Sequence, residues 1–211
     1  MTWIYLSPHF DDAVLSCGGL LWELAQQGNP VEVWTICAGE PGPGPLSNFA
    51  LSLHQRWQTG LEAIPLRRQE DQVACSLVGA QTRRFSLPDC IYRHVPGQPD
   101  LHLYTTEEHL FGPLDPREHP LVLDLAHELG RQIAGVGLQA NPPGLSSLSS
   151  LSPEVHVVCP LALGGHVDHR LVRQAAELTG WTLDYYADYP YVLNTSFPLP
   201  TEQRWHSTRC R

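Results

Sequence analysis

The sequence predicts an α/β fold, with helices packed on both faces of a mostly parallel central sheet. Three observations carry this expectation. The chain opens strand–helix–strand, from Trp3-Ile-Tyr-Leu6 through a helical stretch to Val31–Cys37 (VEVWTIC). Short apolar runs recur later, VHVVC at 155–159 and TLDYYA at 182–187. Longer stretches with apolar residues at helical spacing separate them. Such alternation builds βαβ units, whose right-handed crossovers leave neighbouring strands parallel.

Trp3–Leu6 is an aromatic and β-branched run and reads as a buried first strand. Ser7–Asp12 breaks it, and Asp11 or Asp12 is placed to cap a following helix. In that helix Ala13, Val14, Cys17, Leu20, Leu21, Leu24 and Ala25 recur on one side, and Gly28 offers the C-terminal stop. Val31–Cys37 is the second strand, and Gly39–Pro45 (GEPGPGP) is a loop by composition. Helices are expected around Phe49–Ala63 and Arg67–Val78, with strand-like pieces in Phe85–Tyr92 and Leu101–Tyr104. Glu118–Val136 carries one apolar helical stripe at 122, 125, 126, 129 and 133. Residues 141–153 (NPPGLSSLSSLSP) are low in complexity and are expected to form a flexible surface loop. A linker is rejected there, because the roughly sixty residues that follow are short for an independent domain. One domain over 1–211 is expected. VHVVC is the next strand, followed by a helix with Leu171, Val172, Ala175, Ala176 and Thr179 on one side, and TLDYYA is the last strand.

Composition excludes several chemistries. The chain has 211 residues and a formal charge of −9, and every basic residue is arginine. Without lysine there is no Schiff-base catalysis and no phosphate loop ending in Gly-Lys-Ser/Thr. The acidic balance argues against a nucleic-acid partner. Cysteines at 17, 37, 75, 90, 159 and 210 form no C-x-x-C pair and read as reduced thiols. The N-terminus lacks a leader pattern and no apolar run approaches a membrane span, so a cytoplasmic protein without a membrane partner is expected.

In open parallel sheets ligands bind beyond the carboxyl ends of the strands. Two segments there are dense in metal-ligand types: Ser7-Pro8-His9-Phe10-Asp11-Asp12 and Gly164-Gly165-His166-Val167-Asp168-His169. A catalytic zinc takes three protein ligands from His and carboxylate and leaves one position to water, a set that His9, Asp12 and His169 supply. Asp11 is then free to take a proton from the water, and His166 to polarise a carbonyl. Asp168 is placed to orient a neighbouring histidine. Glu40, after the second strand, shares the rim. The blander readings are a helix cap for the aspartate pair and solvated loop histidines. Two such segments in one small α/β chain favour the chemical reading. The remaining histidines read as ordinary surface or half-buried residues.

SPHFDDAVLSCGG and GGHVDHRLV resemble the two signature segments of the LmbE/PIG-L family of zinc-dependent de-N-acetylases. The resemblance implies one zinc held by His9, Asp12 and His169, with Asp11 as general base and His166 stabilising the tetrahedral intermediate. Arg67 and Glu70 resemble the family's Arg-x-x-Glu helix, whose arginine helps bind substrate. Leu87-Pro88-Asp89 resembles a loop lining the site, and Tyr189-Pro190-Tyr191 a segment near the family's C-terminal end. Order and spacing agree over about residues 3 to 193. Three positions depart from the family pattern. Phe10 and Val167 stand where prolines are usual, and Ala13 where glutamate is common. The fold expected is a Rossmann-like three-layer sandwich. The activity expected is hydrolysis of an N-acetyl amide on an amino sugar or glycoside, such as an N-acetylglucosamine conjugate, releasing acetate and a free amine. The expected partner is a small N-acetylated sugar or glycoconjugate, and self-association is left open. Rival readings are a non-catalytic sugar-binding relative, against which the intact ligand set argues, and a phosphoesterase, whose two-metal form needs more ligands.

Overall fold

The computed structural model describes residues 1–60, 62–139 and 155–193. The loop expected at 141–153 and the C-terminal WHSTRCR lie outside the described residues. The chain runs β1 (Thr2–Ser7), α1 (Asp12–Gln26), β2 (Val31–Thr35), α2 (Asn48–Arg56), α3 (Ala63–Leu77), β3 (Gln81–Arg84), β4 (His94–Val95), β5 (Gln98–His102), α4 (Glu107–Leu110), α5 (His119–Gln139), β6 (Val155–Pro160), α6 (Val167–Leu178) and β7 (Leu183–Tyr186). Five strands form one sheet in the order β3-β2-β1-β6-β7, and every neighbouring pair is parallel. β4 and β5 make a separate antiparallel hairpin. The fold is the Rossmann-like three-layer sandwich expected. No helix among the described residues is long and apolar enough to cross a membrane.

The alternation of β1 divides the core. Ile4 and Leu6 pack with Trp34, Ile36, Val157 and Cys159 against Leu129 and Ile133 of α5 and Leu171 and Val172 of α6. Trp3 and Tyr5 point the other way, joining Val31, Val33, Val158 and Leu21 of α1 and Cys75 of α3. With both faces covered, all six residues of β1 are buried, as a central parallel strand requires. A third cluster gathers beyond the carboxyl edge, where Phe10, Leu53, Ile64, Ile91, Tyr92, Leu103 and Leu110 pack under the loops.

Three expectations shift. The strand sought within Phe85–Tyr92 lies one step earlier, at Gln81–Arg84, because an edge strand tolerates the polar QTRR that periodicity passes over. Phe85–Tyr92 instead crosses the carboxyl edge, bridging Cys37 to Ser86 and Gly39 to Pro88, and closes in a 3-10 turn at Cys90–Tyr92. The piece at Leu101–Tyr104 is displaced to Gln98–His102, the outer strand of the hairpin. The helix expected to reach Ala63 stops at Arg56, and α3 begins at Ala63 rather than Arg67. Gly39 permits the crossing: a Cβ there would fall 2.1 Å from the Ser86 carbonyl oxygen.

Leu129 is completely buried between α5 and the sheet. Leu129→Ala is expected to lower unfolding free energy by about 2–5 kcal/mol in urea titrations, with an unchanged denaturant slope.

Candidate metal centre

The strand order reverses at β1, which sits between β2 and β6. Connections leave the two strands in opposite directions there, opening the crevice where α/β sheets bind ligands. β1 delivers His9 to it and β6 delivers His166 and His169. Ser7 fixes the first loop, its Oγ donating to the His9 carbonyl at 2.6 Å and accepting from the Ala13 amide at 3.1 Å. The backbone amide of His9 donates to Asp12 Oδ2 at 2.8 Å, folding the loop so that both side chains face one point.

At that point His9 Nδ1 lies 3.2 Å and His169 Nε2 3.3 Å from Asp12 Oδ2. The three residues offer donor atoms within 4.8 Å of one another, all on buried or nearly buried side chains. Each histidine is held from behind by a carboxylate. His9 Nε2 meets Asp168 Oδ2 at 3.0 Å, and His169 Nδ1 meets Asp188 Oδ1 at 2.5 Å. Two imidazoles backed by carboxylates and one further carboxylate are the donor set of a zinc site with an open position, so the residues present fit that ion. Burial alone would raise Asp12, but the two histidines outweigh it and hold the carboxyl well below the usual carboxylate range. Burial alone would lower His169, but Asp12 and Asp188 push it up to about 9.

His166 occupies the N-cap of α6, and its Nδ1 accepts the Asp168 amide at 3.2 Å. Burial, reinforced by His9, pulls it down to about 4, so the ring is neutral. With Nδ1 accepting, the ring proton sits on Nε2 and is available as a donor. Asp11 does not cap α1: its side chain makes no capping bond and remains largely exposed. Its Oδ1 lies 3.5 Å from Arg67 Nη2, and the Arg67 guanidinium stands over Phe10 and Trp57 at 5.6 and 5.1 Å. Tyr191 sets its ring perpendicular to His169 at 5.8 Å. Asp89 is buried, with Oδ1 accepting the Ile91 amide and Oδ2 3.6 Å from His9 Nε2. Glu40 stays on the rim, paired with Arg68 at 3.1 Å.

Two supports have no counterpart in the sequence reading. Asp188 follows β7 directly, and its other oxygen accepts the Leu163 amide at 3.1 Å. A carboxylate at the carboxyl end of a strand was the available signal. Arg93 is buried against Asp168 and Glu118, and Tyr104 donates to Glu118 in turn. Nothing local in the sequence marks that link.

Because the buried carboxylates hold protons on both His9 and His169 that a metal must displace, apparent zinc affinity is expected to fall more than tenfold, and up to about a hundredfold, per unit as pH drops from about 8 to 6. Competition against a chelating dye measures this. Asp188→Asn removes the carboxylate behind His169 and is expected to cost about 10–100-fold in zinc affinity in the same assay.

A family model described as PIG-L, GlcNAc-PI de-N-acetylase, matches residues 4–179. The 2'-N-acetylparomamine deacetylase of Niallia circulans is 32% identical over 203 residues, covering 89% of this chain and 66% of the relative. The chain thus spans slightly less than two thirds of that relative's length. The zinc-inhibited form of teicoplanin deacetylase Orf2 superposes with a TM-score of 0.72 at 28% identity, over 95% of this chain and 73% of that one. The A40926 pseudoaglycone deacetylase Dbv21 gives 0.68 at 28%, over 94% and 69%. The ordered segments, the parallel sheet and the family match agree, and the chain belongs to the PIG-L family of de-N-acetylases.

Proposed function

We propose that this chain is a zinc-dependent amidohydrolase that removes an acetyl group from the nitrogen of an amino sugar or its glycoside. The observation that carries the reading is the convergence of His9, Asp12 and His169 on one point, with His166 beside it and Asp11 next to Asp12 in the chain. Relatives named for deacetylating acetylparomamine and teicoplanin support an amino-sugar or glycoside substrate. Zinc held by the three ligands supplies a Lewis acid and lowers the pKa of water to about 7.

The chain's own groups supply the rest. Asp11 accepts a proton from the attacking water and returns it to the departing nitrogen, so one carboxylate serves as base and then acid. Arg67 orients it, the guanidinium being fixed between Phe10 and Trp57. His166 donates its Nε2–H to the carbonyl oxygen as negative charge develops, and the helix cap on Nδ1 keeps that tautomer in place. Asp168 and Asp188 hold the two ligand rings against rotation. Asp89 lies beneath His9, and Tyr191 closes the side next to His169. Glu40 and Arg68 border the approach.

Asp11→Asn is expected to lower kcat by about 10²–10⁴-fold on an N-acetylglucosamine conjugate while zinc content stays at one per chain. Acetate release and metal analysis on the same sample measure both. Full-rate deacetylation by the variant would show that the base is another group.

A further inference from the structure

Phe111 is an aromatic residue that the chemistry above does not use. It follows the short helix α4, whose Thr106 cap accepts the His109 amide and whose Leu110 is buried in the cluster beneath the loops. The backbone there is therefore anchored, yet the Phe111 side chain is 43% exposed. An exposed phenylalanine on an anchored turn forgoes burial that the fold could have used. Its ring is not aimed at random. It stands edge-on to His166, with centroids 5.5 Å apart and planes at 83°, and edge-on to Tyr191 at 6.0 Å and 68°. Tyr191 in turn stands perpendicular to His169. Gly164 makes room for the tyrosine, since a Cβ at that position would fall 2.3 Å from its ring. Phe111 and Tyr191 therefore make one continuous apolar wall along the two histidines of the second loop.

The geometry of an amide says what that wall meets, and this step rests on the deacetylase reading above. A carbonyl carbon carries three substituents: oxygen, nitrogen and the acyl chain. The oxygen belongs to His166 and the metal position. The nitrogen, with its sugar, belongs beside Asp11, because the same carboxylate must reach both the water and the departing amine. Asp11 is joined to Arg67, and through it to Phe10 and Trp57. The third substituent is left with the surface that flanks His166, and an apolar wall is what a methyl group needs. We propose that Phe111, backed by Tyr191, is the acyl-side wall of the site and restricts the acyl group to acetyl.

The test compares N-acetyl-, N-butyryl- and N-hexanoylglucosamine as substrates for the zinc-loaded wild type, Phe111→Ala and Phe111→Trp. Removing the ring is expected to raise the butyryl-to-acetyl ratio of kcat/KM about tenfold, the effect of a small change in an apolar pocket, and the larger indole to lower it below wild type. A second measurement needs no turnover: calorimetric affinities of acetate, butyrate and hexanoate for the zinc-loaded proteins. Phe111→Ala is expected to shift preference toward the longer carboxylates by a similar factor. An unchanged ratio in both measurements, with the wild type active on the acetyl compound, overturns the wall and leaves the deacetylase reading standing. Failure of the wild type to release any acyl group overturns the deacetylase reading. An unchanged carboxylate preference then overturns the wall as well.

Discussion

The centre depends on pairing a large amount of buried negative charge. Among the described residues Asp12, Asp89, Asp168, Asp188 and Glu118 are all buried, against a single buried guanidinium, Arg93. Taking an ion out of water costs several kcal/mol unless it is paired and hydrogen-bonded. Asp168 shows how the cost is met. It is fully inaccessible, and its oxygens take the His9 ring, the Cys90 amide and Arg93. Arg93 is then shared with Glu118, to which Tyr104 also donates. One aspartate thereby ties the β1 loop, the 3-10 turn before β4, the start of α5 and α6 to a single point. The carboxylates that remain face His9 and His169, whose protonated forms they favour.

This wiring explains which parts of the site are legible in the sequence. His9 with Asp12, and His166 with His169, stand three positions apart, so each pair is a local fact of one turn after one strand. Their meeting follows from strand order, because β1 and β6 are neighbours although the residues they carry are far apart in the chain. The supports are different. Arg93 reaches Asp168 from the junction between the 3-10 turn and β4, and Asp188 reaches His169 from the end of β7. No local spacing encodes either contact. β3 was displaced for a related reason: its pairing with β2 is set by the sheet, while its own residues, Gln81 to Arg84, are polar. Hydrophobic periodicity reports burial, and an edge strand is only half buried.

Phe10 illustrates how a departure from the family pattern is absorbed. The position usually holds proline, which would stiffen the loop through its ring. Here the side chain is 3% exposed and packs into the cluster beneath the carboxyl-edge loops. Packing replaces covalent restraint. The exchange also gives Arg67 an aromatic face to rest on, with Trp57 as the second, so the residue that fixes the loop also positions the arginine beside Asp11.

The absence of lysine acquires a structural meaning in the same places. Arg93 turns Nη2 toward Glu118 and Nη1 toward both Asp168 and the Pro88 carbonyl, a planar fork whose geometry a single ammonium cannot reproduce. Arg67 is held by two ring faces while one nitrogen remains for Asp11, which requires a flat, delocalised cation. Arg173 repeats the pattern outside the site, standing over Tyr185 while bonding Glu177 and the Leu161 carbonyl. Cations here act as flat, multi-donor connectors between loops, helices and rings. The proposed reaction needs none of them as a nucleophile or a proton carrier, because it gives those roles to carboxylate and imidazole.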